Sequence, residues 1–122
     1  MKILAVDDSR TIREMVKLTL DREGIETTLA EDGVHGLEVL ETLEERPDAI
    51  LTDVNMPRLD GLGFIEKVRE RPAYAGIPIL VLTTETAMEL KQRARRAGAT
   101  GWIVKPFDPA RLVGALRTVT GL

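Results

Sequence analysis

The stretch Ile3-Leu4-Ala5-Val6-Asp7-Asp8-Ser9 begins with four apolar residues and ends with two adjacent carboxylates and a hydroxyl. Three further apolar runs follow along the chain, at residues 49–51, 79–82 and 102–104. Short, continuous apolar runs of this kind are typical of strands buried on both faces of a parallel sheet. A fifth run, at residues 25–30, is β-branched but more polar and suits an edge strand.

Segments with helical spacing lie between these runs. Their apolar residues recur every three or four positions: Ile12, Met15, Val16, Thr19 and Leu20; Leu37, Leu40 and Leu43; Leu62, Ile65 and Val68; Leu90, Ala94 and Ala97; Leu112, Leu116 and Val119. Ser9 and Pro109 suit the starts of the first and last helices, while Gly24 and Pro47 suit the ends of the first and second. The fourth stripe has small residues among many basic ones, so we expect that helix to be the least firmly anchored.

The alternation of five strands and five helices predicts an α/β fold. It implies a doubly wound parallel sheet with right-handed crossovers, in a single domain spanning residues 1–122. Ligands of such sheets bind at the carboxyl ends of the strands.

The composition argues against several classes of function. There is no cysteine, which excludes disulfides, thiolate metal sites and a cysteine nucleophile. The net charge of −3 gives no global basic bias, so we expect no nucleic-acid partner. The first apolar run is too short for a signal peptide or a membrane span, so we expect a cytoplasmic protein without membrane insertion.

Charged and polar side chains follow the predicted strands. They are Asp7 and Asp8 after the first, Asp53 after the third, Thr83 after the fourth and Lys105 after the fifth. Three carboxylates on one rim repel one another, and a single ammonium neutralises only part of their charge. The pattern therefore predicts a divalent, oxygen-bound cation such as Mg²⁺ at this rim.

This set of groups fits phosphoryl transfer, with a carboxylate as nucleophile and the cation, lysine and hydroxyl stabilising the phosphoryl oxygens. Nucleotide binding is not expected, because no glycine-rich loop follows the first strand. Taken singly, each of these residues could instead be a helix cap, a strand end or a solvated charge. Their joint occurrence after strands of one sheet favours the functional interpretation.

Six stretches, which run through nearly the whole chain, carry a family resemblance: Asp7-Asp8-Ser9, Asp53-Val54-Asn55-Met56-Pro57, Asp60-Gly61, Thr83-Thr84-Glu85, Gly98-Ala99 and Lys105-Pro106-Phe107. In order and spacing they resemble the receiver domains of two-component response regulators, and among these the single-domain chemotaxis regulators of the CheY type. The resemblance implies the flavodoxin-like strand order 2-1-3-4-5, for which CheY is a standard example. It also implies a cis Lys105–Pro106 bond.

The resemblance assigns roles to the rim residues. Asp53 is the implied phosphoacceptor, and a sensor histidine kinase is the implied phosphodonor. Asp8, Asp53 and the backbone carbonyl of Asn55 are implied to bind Mg²⁺ directly, with Asp7 acting mainly through a bound water.

The resemblance also implies residues that respond to phosphorylation and residues that set the lifetime of the phosphorylated state. Thr83 and Lys105 would contact the phosphoryl group, and Trp102 would occupy the position of the aromatic switch residue, although an ordinary core role stays open. Asn55 and Glu85 would tune the hydrolysis of the aspartyl phosphate, and their identities favour a short-lived signal.

The output is expected to pass through another protein, because no output domain follows the last helix. The fourth helix, fifth strand and fifth helix carry Trp102, Lys91, Arg95 and Arg93. This face could be a solvated charged surface, or it could dock an acidic partner helix such as that of a flagellar motor switch component. We expect a monomer, with the lone His35 as a surface residue outside the site.

Three classes of function remain for comparison. The first is a chemotaxis regulator that binds the motor or drains phosphoryl groups from a shared kinase. The second is a phosphorelay shuttle, for example in a cell-cycle circuit. The third is a phosphatase of the haloacid dehalogenase type, which we discount because its general acid would be an Asp where this chain has Asn55.

Overall fold

The computed structural model describes all 122 residues. Five strands and five helices alternate: β1 Lys2–Val6, α1 Arg10–Asp21, β2 Glu26–Ala30, α2 Gly33–Thr42, β3 Ala49–Thr52, α3 Gly61–Glu70, β4 Ile79–Thr83, α4 Met88–Ala97, β5 Gly101–Val104 and α5 Pro109–Thr120. A short 3₁₀ turn, Pro72–Tyr74, lies between α3 and β4. All strand pairs are parallel, in the order β2-β1-β3-β4-β5, which confirms the predicted fold and strand order.

Each face of the sheet carries its own hydrophobic core. Because successive residues of a strand point to opposite faces, Leu4 and Val6 pack with α2, α3 and α4, while Ile3 and Ala5 pack with α1 and α5. The first core holds 14 buried residues and the second holds 12, so both faces are closed to water. The functional groups are therefore left at the rim where the strands end.

The two edge strands differ from the sequence prediction in one respect. β2 is an edge strand, as predicted, but residues 102–104 of β5 are not buried on both faces. Trp102 and Ile103 are half-buried and Val104 is 40% exposed. The reason is that β5 pairs only with β4 and forms the second edge of the sheet.

The helix ends mostly follow the predicted signals. The Ile12 backbone N–H donates to Ser9 Oγ at 3.3 Å, and Pro109 is the first residue of α5. α2 ends at Thr42, ahead of Pro47, with Leu43 as its C-cap residue. Met15, predicted in the inner stripe of α1, is 44% exposed because it lies about 100° around the helix from buried Val16.

The fourth helix is the least buried of the five. α4 buries only Ala94, whereas α3, which has the same length of 10 residues, buries five residues, four of them with apolar side chains. Its N-cap residue, Ala87, has no side chain that could cap the helix. Since little apolar area holds α4 to the sheet, its burial agrees with the expected weak anchoring. No helix combines the length and the apolar character that crossing a bilayer requires.

Candidate functional site

The three predicted carboxylates lie together at the carboxyl edge of the sheet. β1 and β3 are neighbours, so the residues that follow them, Asp7, Asp8 and Asp53, are brought side by side. One oxygen of each carboxylate lies within 4.8 Å of the others. Asp7 and Asp53 are buried while Asp8 is exposed, so the cluster is closed on the protein side and open toward solvent. Hard divalent cations prefer such a set of oxygen ligands.

Lys105 directly follows the edge strand β5, and its side chain extends to this cluster. Its Nζ lies 2.7 Å from Asp7 Oδ2 and 3.0 Å from Asp53 Oδ2, and only 9% of its side chain is exposed. One ammonium therefore bridges two of the carboxylates and leaves the third without a cation.

This arrangement shifts two pKa values. Burial alone would lower the pKa of Lys105, but its hydrogen bonds to Asp7 and Asp53 outweigh that effect and raise the pKa above 10.5. Burial raises the pKa of Asp7 above 3.8, although the hydrogen bonds from Lys105 and Ser9 partly oppose this effect. In the metal-free protein, folding thus disfavours the ionised form of Asp7, and a bound cation would stabilise that form.

The backbone around Asp53 is tightly fixed. The Val54 N–H donates to Asp53 Oδ1 at 2.6 Å, so that oxygen faces the chain while Oδ2 faces Lys105. The Gly61 N–H donates to the Val54 carbonyl at 2.8 Å. A Cβ at Gly61 would collide with the Asp53 carbonyl oxygen, so only glycine lets α3 begin this close to Asp53.

Thr83, Asn55, Glu85 and Trp102 form a polar group beside the carboxylates. Thr83 is fully buried, and its Oγ1 accepts from the Glu85 N–H at 3.3 Å. Asn55 Nδ2 donates to Glu85 Oε1 at 3.2 Å, and Trp102 Nε1 donates to the Glu85 carbonyl at 3.0 Å. Glu85 therefore connects the loop after β3, the last residue of β4 and the edge strand β5. The sequence placed these four residues near the site but did not predict their contacts.

One residue that supports the site was missed from the sequence. Arg13 of α1 donates from Nη1 to the Asp7 carbonyl at 2.7 Å and so ties the helix to the end of β1. The only available signal was an arginine six residues after Asp7, which is too weak to be specific. His35 is not part of the acidic cluster, but it is half-buried and not the surface residue that the sequence predicted; its Nδ1 accepts from the Glu31 N–H at 3.0 Å.

The comparisons with known proteins agree with this geometry. The family model of the response regulator receiver domain matches residues 3–117. The chain belongs to the response regulator receiver family. It is 42% identical to the chemotaxis protein CheY1 of Helicobacter pylori over 99% of this chain and 98% of that protein. It is 40% identical to a Campylobacter jejuni CheY homolog, covering 99% and 93% of the two chains.

Solved receiver structures have the same fold. The chemotaxis protein CheY4 of Vibrio cholerae superimposes with a TM-score of 0.91 at 47% identity, over 97% of each chain. The receiver domain of a Pseudomonas aeruginosa sensor histidine kinase, solved with a magnesium ion coordinated in its active-site cleft, gives a TM-score of 0.89 at 29% identity. That alignment covers 99% of this chain and 98% of the other.

Replacing Asp7 tests the charge balance of the site. In metal-free solution at neutral pH, Asp7→Asn should raise the free energy of unfolding by about 1 kcal/mol, because removing the cost of burying the ionised carboxylate outweighs the lost contact with Lys105. A carboxyl whose folded pKa is raised stabilises the protein below its unfolded pKa of 3.8 and loses that contribution as the pH rises through the folded pKa. The advantage of Asp7→Asn should therefore shrink as the pH falls toward 3.8.

Urea unfolding in the presence of a chelator, at neutral and acidic pH, measures this difference. Asp21→Asn, at an exposed carboxylate paired with Lys17, is the matched control and should leave stability nearly unchanged. A clear loss of stability for Asp7→Asn at neutral pH would show that the ionised form is net stabilising and would contradict the interpretation.

Proposed function

We propose that the chain is a chemotaxis-type response regulator that accepts a phosphoryl group on Asp53 from a sensor histidine kinase. The observation that carries the proposal is the buried Asp53 carboxylate, which lies in a cluster of three carboxylates and accepts a hydrogen bond from Lys105. We further propose that it acts in the cytoplasm as a monomeric receiver unit spanning residues 1–122. In this role it is a phosphoacceptor and not an enzyme with a separate substrate.

The residues present fit a bound Mg²⁺. Asp8, Asp53 and the Asn55 carbonyl would hold the ion, and Asp7 would contribute through a bound water. The donor set is all oxygen and carries an excess of negative charge, as this hard cation requires. When bound, Mg²⁺ supplies positive charge that offsets the carboxylates and the phosphoryl oxygens.

In the proposed transfer an Asp53 carboxylate oxygen attacks the phosphorus of a phosphohistidine. The new P–O bond forms as the P–N bond breaks, and the departing imidazole keeps the electron pair and gains a proton from solvent. Lys105, already 3.0 Å from Asp53 Oδ2, then pairs with the phosphoryl oxygens, and the Thr83 hydroxyl donates to one of them. Each residue thus stabilises charge at the point where it develops.

The proposed output surface is the groove between α4 and β5. Lys91, Arg95 and Trp102 line this groove. Arg93, predicted to share this face, instead lines the cleft between α3 and α4 together with Arg96, because it lies on another side of the helix from Lys91 and Arg95. Two cations beside an indole suit an acidic partner helix, such as one from a flagellar motor switch component.

Two alternative roles use the same chemistry. A phosphate sink or a phosphorelay shuttle would also accept a phosphoryl group on Asp53. The identities of 42% and 47% to chemotaxis proteins of which this chain covers 98% and 97% favour the chemotaxis role.

Acetyl phosphate tests the phosphoacceptor directly. Incubation with acetyl phosphate and Mg²⁺ should add the mass of one phosphoryl group to the intact protein, and a chelator should abolish the gain. Asp53→Asn should show no gain, because its amide is not a nucleophile for phosphorus. Asp60→Asn is the control, since Asn can still cap α3 and Asp53 is retained. A mass gain in Asp53→Asn, or one that is independent of Mg²⁺, would contradict the proposal.

The contact between Asn55 and Glu85 is proposed to shorten the life of the phosphorylated state. Two polar side chains joined beside Asp53 can orient a water for attack on phosphorus, so replacing both with Ala should slow decay about tenfold. Loss of the phosphoryl mass after removal of acetyl phosphate gives the rate. Glu89→Ala, at an exposed carboxylate in the first turn of α4, should decay like the unmodified sequence. If the double variant decays at the rate of the unmodified protein, the proposed role of Asn55 and Glu85 is contradicted.

Hydrogen exchange tests the output surface. Phosphorylation should change the exchange rates of α4 amides several-fold, because α4 buries only Ala94 and lies directly after the loop that joins Thr83, the last residue of β4, to the helix. α3, equally long but with five buried residues, should change little. Asp53→Asn treated with acetyl phosphate is the control for effects of acetyl phosphate other than phosphorylation of Asp53. Unchanged α4 exchange upon full phosphorylation would exclude α4 as the responding element.

A further inference from the structure

A strained turn follows the candidate phosphoacceptor. The β3–α3 loop, residues 53–60, contains Arg58 with a φ of +64°. The Leu59 N–H donates to the Pro57 carbonyl at 2.7 Å, which makes Arg58 the central residue of a three-residue turn. A non-glycine residue with positive φ at the centre of such a turn adopts a rare and strained conformation. A conformation of this kind persists only where its surroundings hold it.

The side chain of Arg58 is held by a buried carboxylate. Arg58 Nε lies 2.8 Å from Asp32 Oδ2 and Nη2 lies 3.0 Å from Asp32 Oδ1, while Asp32 itself is 5% exposed. Two parallel hydrogen bonds of this kind fix orientation as well as distance. Asp32 is fixed in turn, because its Oδ1 caps α2 by accepting from the His35 N–H at 2.9 Å.

A backbone contact lies beside this ion pair. The Gly33 N–H donates to the Leu59 carbonyl at 3.2 Å. A Cβ at Gly33 would approach Leu59 more closely than real side chains allow. Two consecutive residues of the loop are thereby tied to two consecutive residues at the start of α2, outside the acidic cluster.

We infer that Arg58 is a positioning residue for the metal site. Its ion pair with Asp32 holds the strained turn, and the turn fixes the path of the loop between Asp53 and α3. The Asn55 carbonyl lies on that path, three residues before Arg58, and Pro57 between them restricts the backbone. This inference rests on the proposed function, in which that carbonyl is a ligand of Mg²⁺.

Calorimetric titration of the metal-free protein with MgCl₂ tests the inference without any phosphoryl transfer. Arg58→Gln should raise the dissociation constant for Mg²⁺ about tenfold, the lower end of what loss of a residue supporting a metal ligand costs. Arg71→Gln is the matched control and should bind as the unmodified sequence does. It also removes an arginine–carboxylate pair, between Arg71 and Glu41, but an exposed one far along α3 from the site.

Further variants separate the ion pair from other effects of the substitution. Asp32→Asn keeps a capping side chain but loses the charge, and should weaken Mg²⁺ binding as Arg58→Gln does. The double variant should be no weaker than either single one, because both remove the same contact. Arg58→Gly removes the ion pair and adds backbone freedom, which leaves the path of the loop unfixed, so it should also bind Mg²⁺ weakly.

The outcomes distinguish the two levels of the proposal. If the unmodified protein fails to bind Mg²⁺, the proposed function fails, and this inference fails with it. If the unmodified protein binds and Arg58→Gln binds equally well, the inference alone is overturned. Full affinity in Arg58→Gly would overturn it too, because the loop would then keep its path without the ion pair. Urea unfolding confirms that each titrated variant is folded.

Discussion

The ammonium of Lys105, shared between the carboxylates of Asp7 and Asp53, is the contact on which the rest of the site depends. Parallel strands deliver their final residues to one edge, so a sheet with acidic residues after β1 and β3 gathers like charges there. In the metal-free protein, Lys105 neutralises part of this negative charge but not all of it. The remaining negative charge is what makes the site receptive to a divalent cation.

The surrounding structure shows how a stable sheet supports a site that is not itself optimised for stability. Two closed cores hold the strands, and the unfavourable features lie at the rim or on the weakly buried helix α4. These features are a buried carboxylate with a raised pKa, a strained turn at Arg58 and a helix with a single buried side chain. Asp7 and the turn at Arg58 lie outside the two cores, and Ala94 is the only buried residue that ties α4 to the first core, so these features can respond to a bound charge without disturbing the fold.

The sequence was sufficient for the parts of the structure that depend on periodicity and strand order. Apolar runs located the strands, helical spacing located the helices, and the residues after each strand identified the acidic rim. The apolar run of β5 alone looks like that of a central strand, and only the strand order implied by the family resemblance placed β5 at the edge of the sheet. The prediction also did not separate Arg93 from Lys91 and Arg95, although an offset of two residues places Arg93 about 200° around the helix and in another cleft. The contacts of Glu85 with Asn55 and Trp102, and of Arg58 with Asp32, depend on loop conformations that no spacing rule encodes.

Lys105 is 98 residues away from Asp7 along the chain, and this separation has a consequence for biosynthesis. A nascent chain exposes both buried carboxylates well before the lysine that bridges them has been made. Closing so long a loop is entropically costly, so the bridge forms only when the last strand has joined the sheet. A truncated product that lacks β5 would keep the acidic residues without their shared cation. The bridge from Lys105 to Asp7 and Asp53 is therefore present only in molecules in which β5 has joined the sheet.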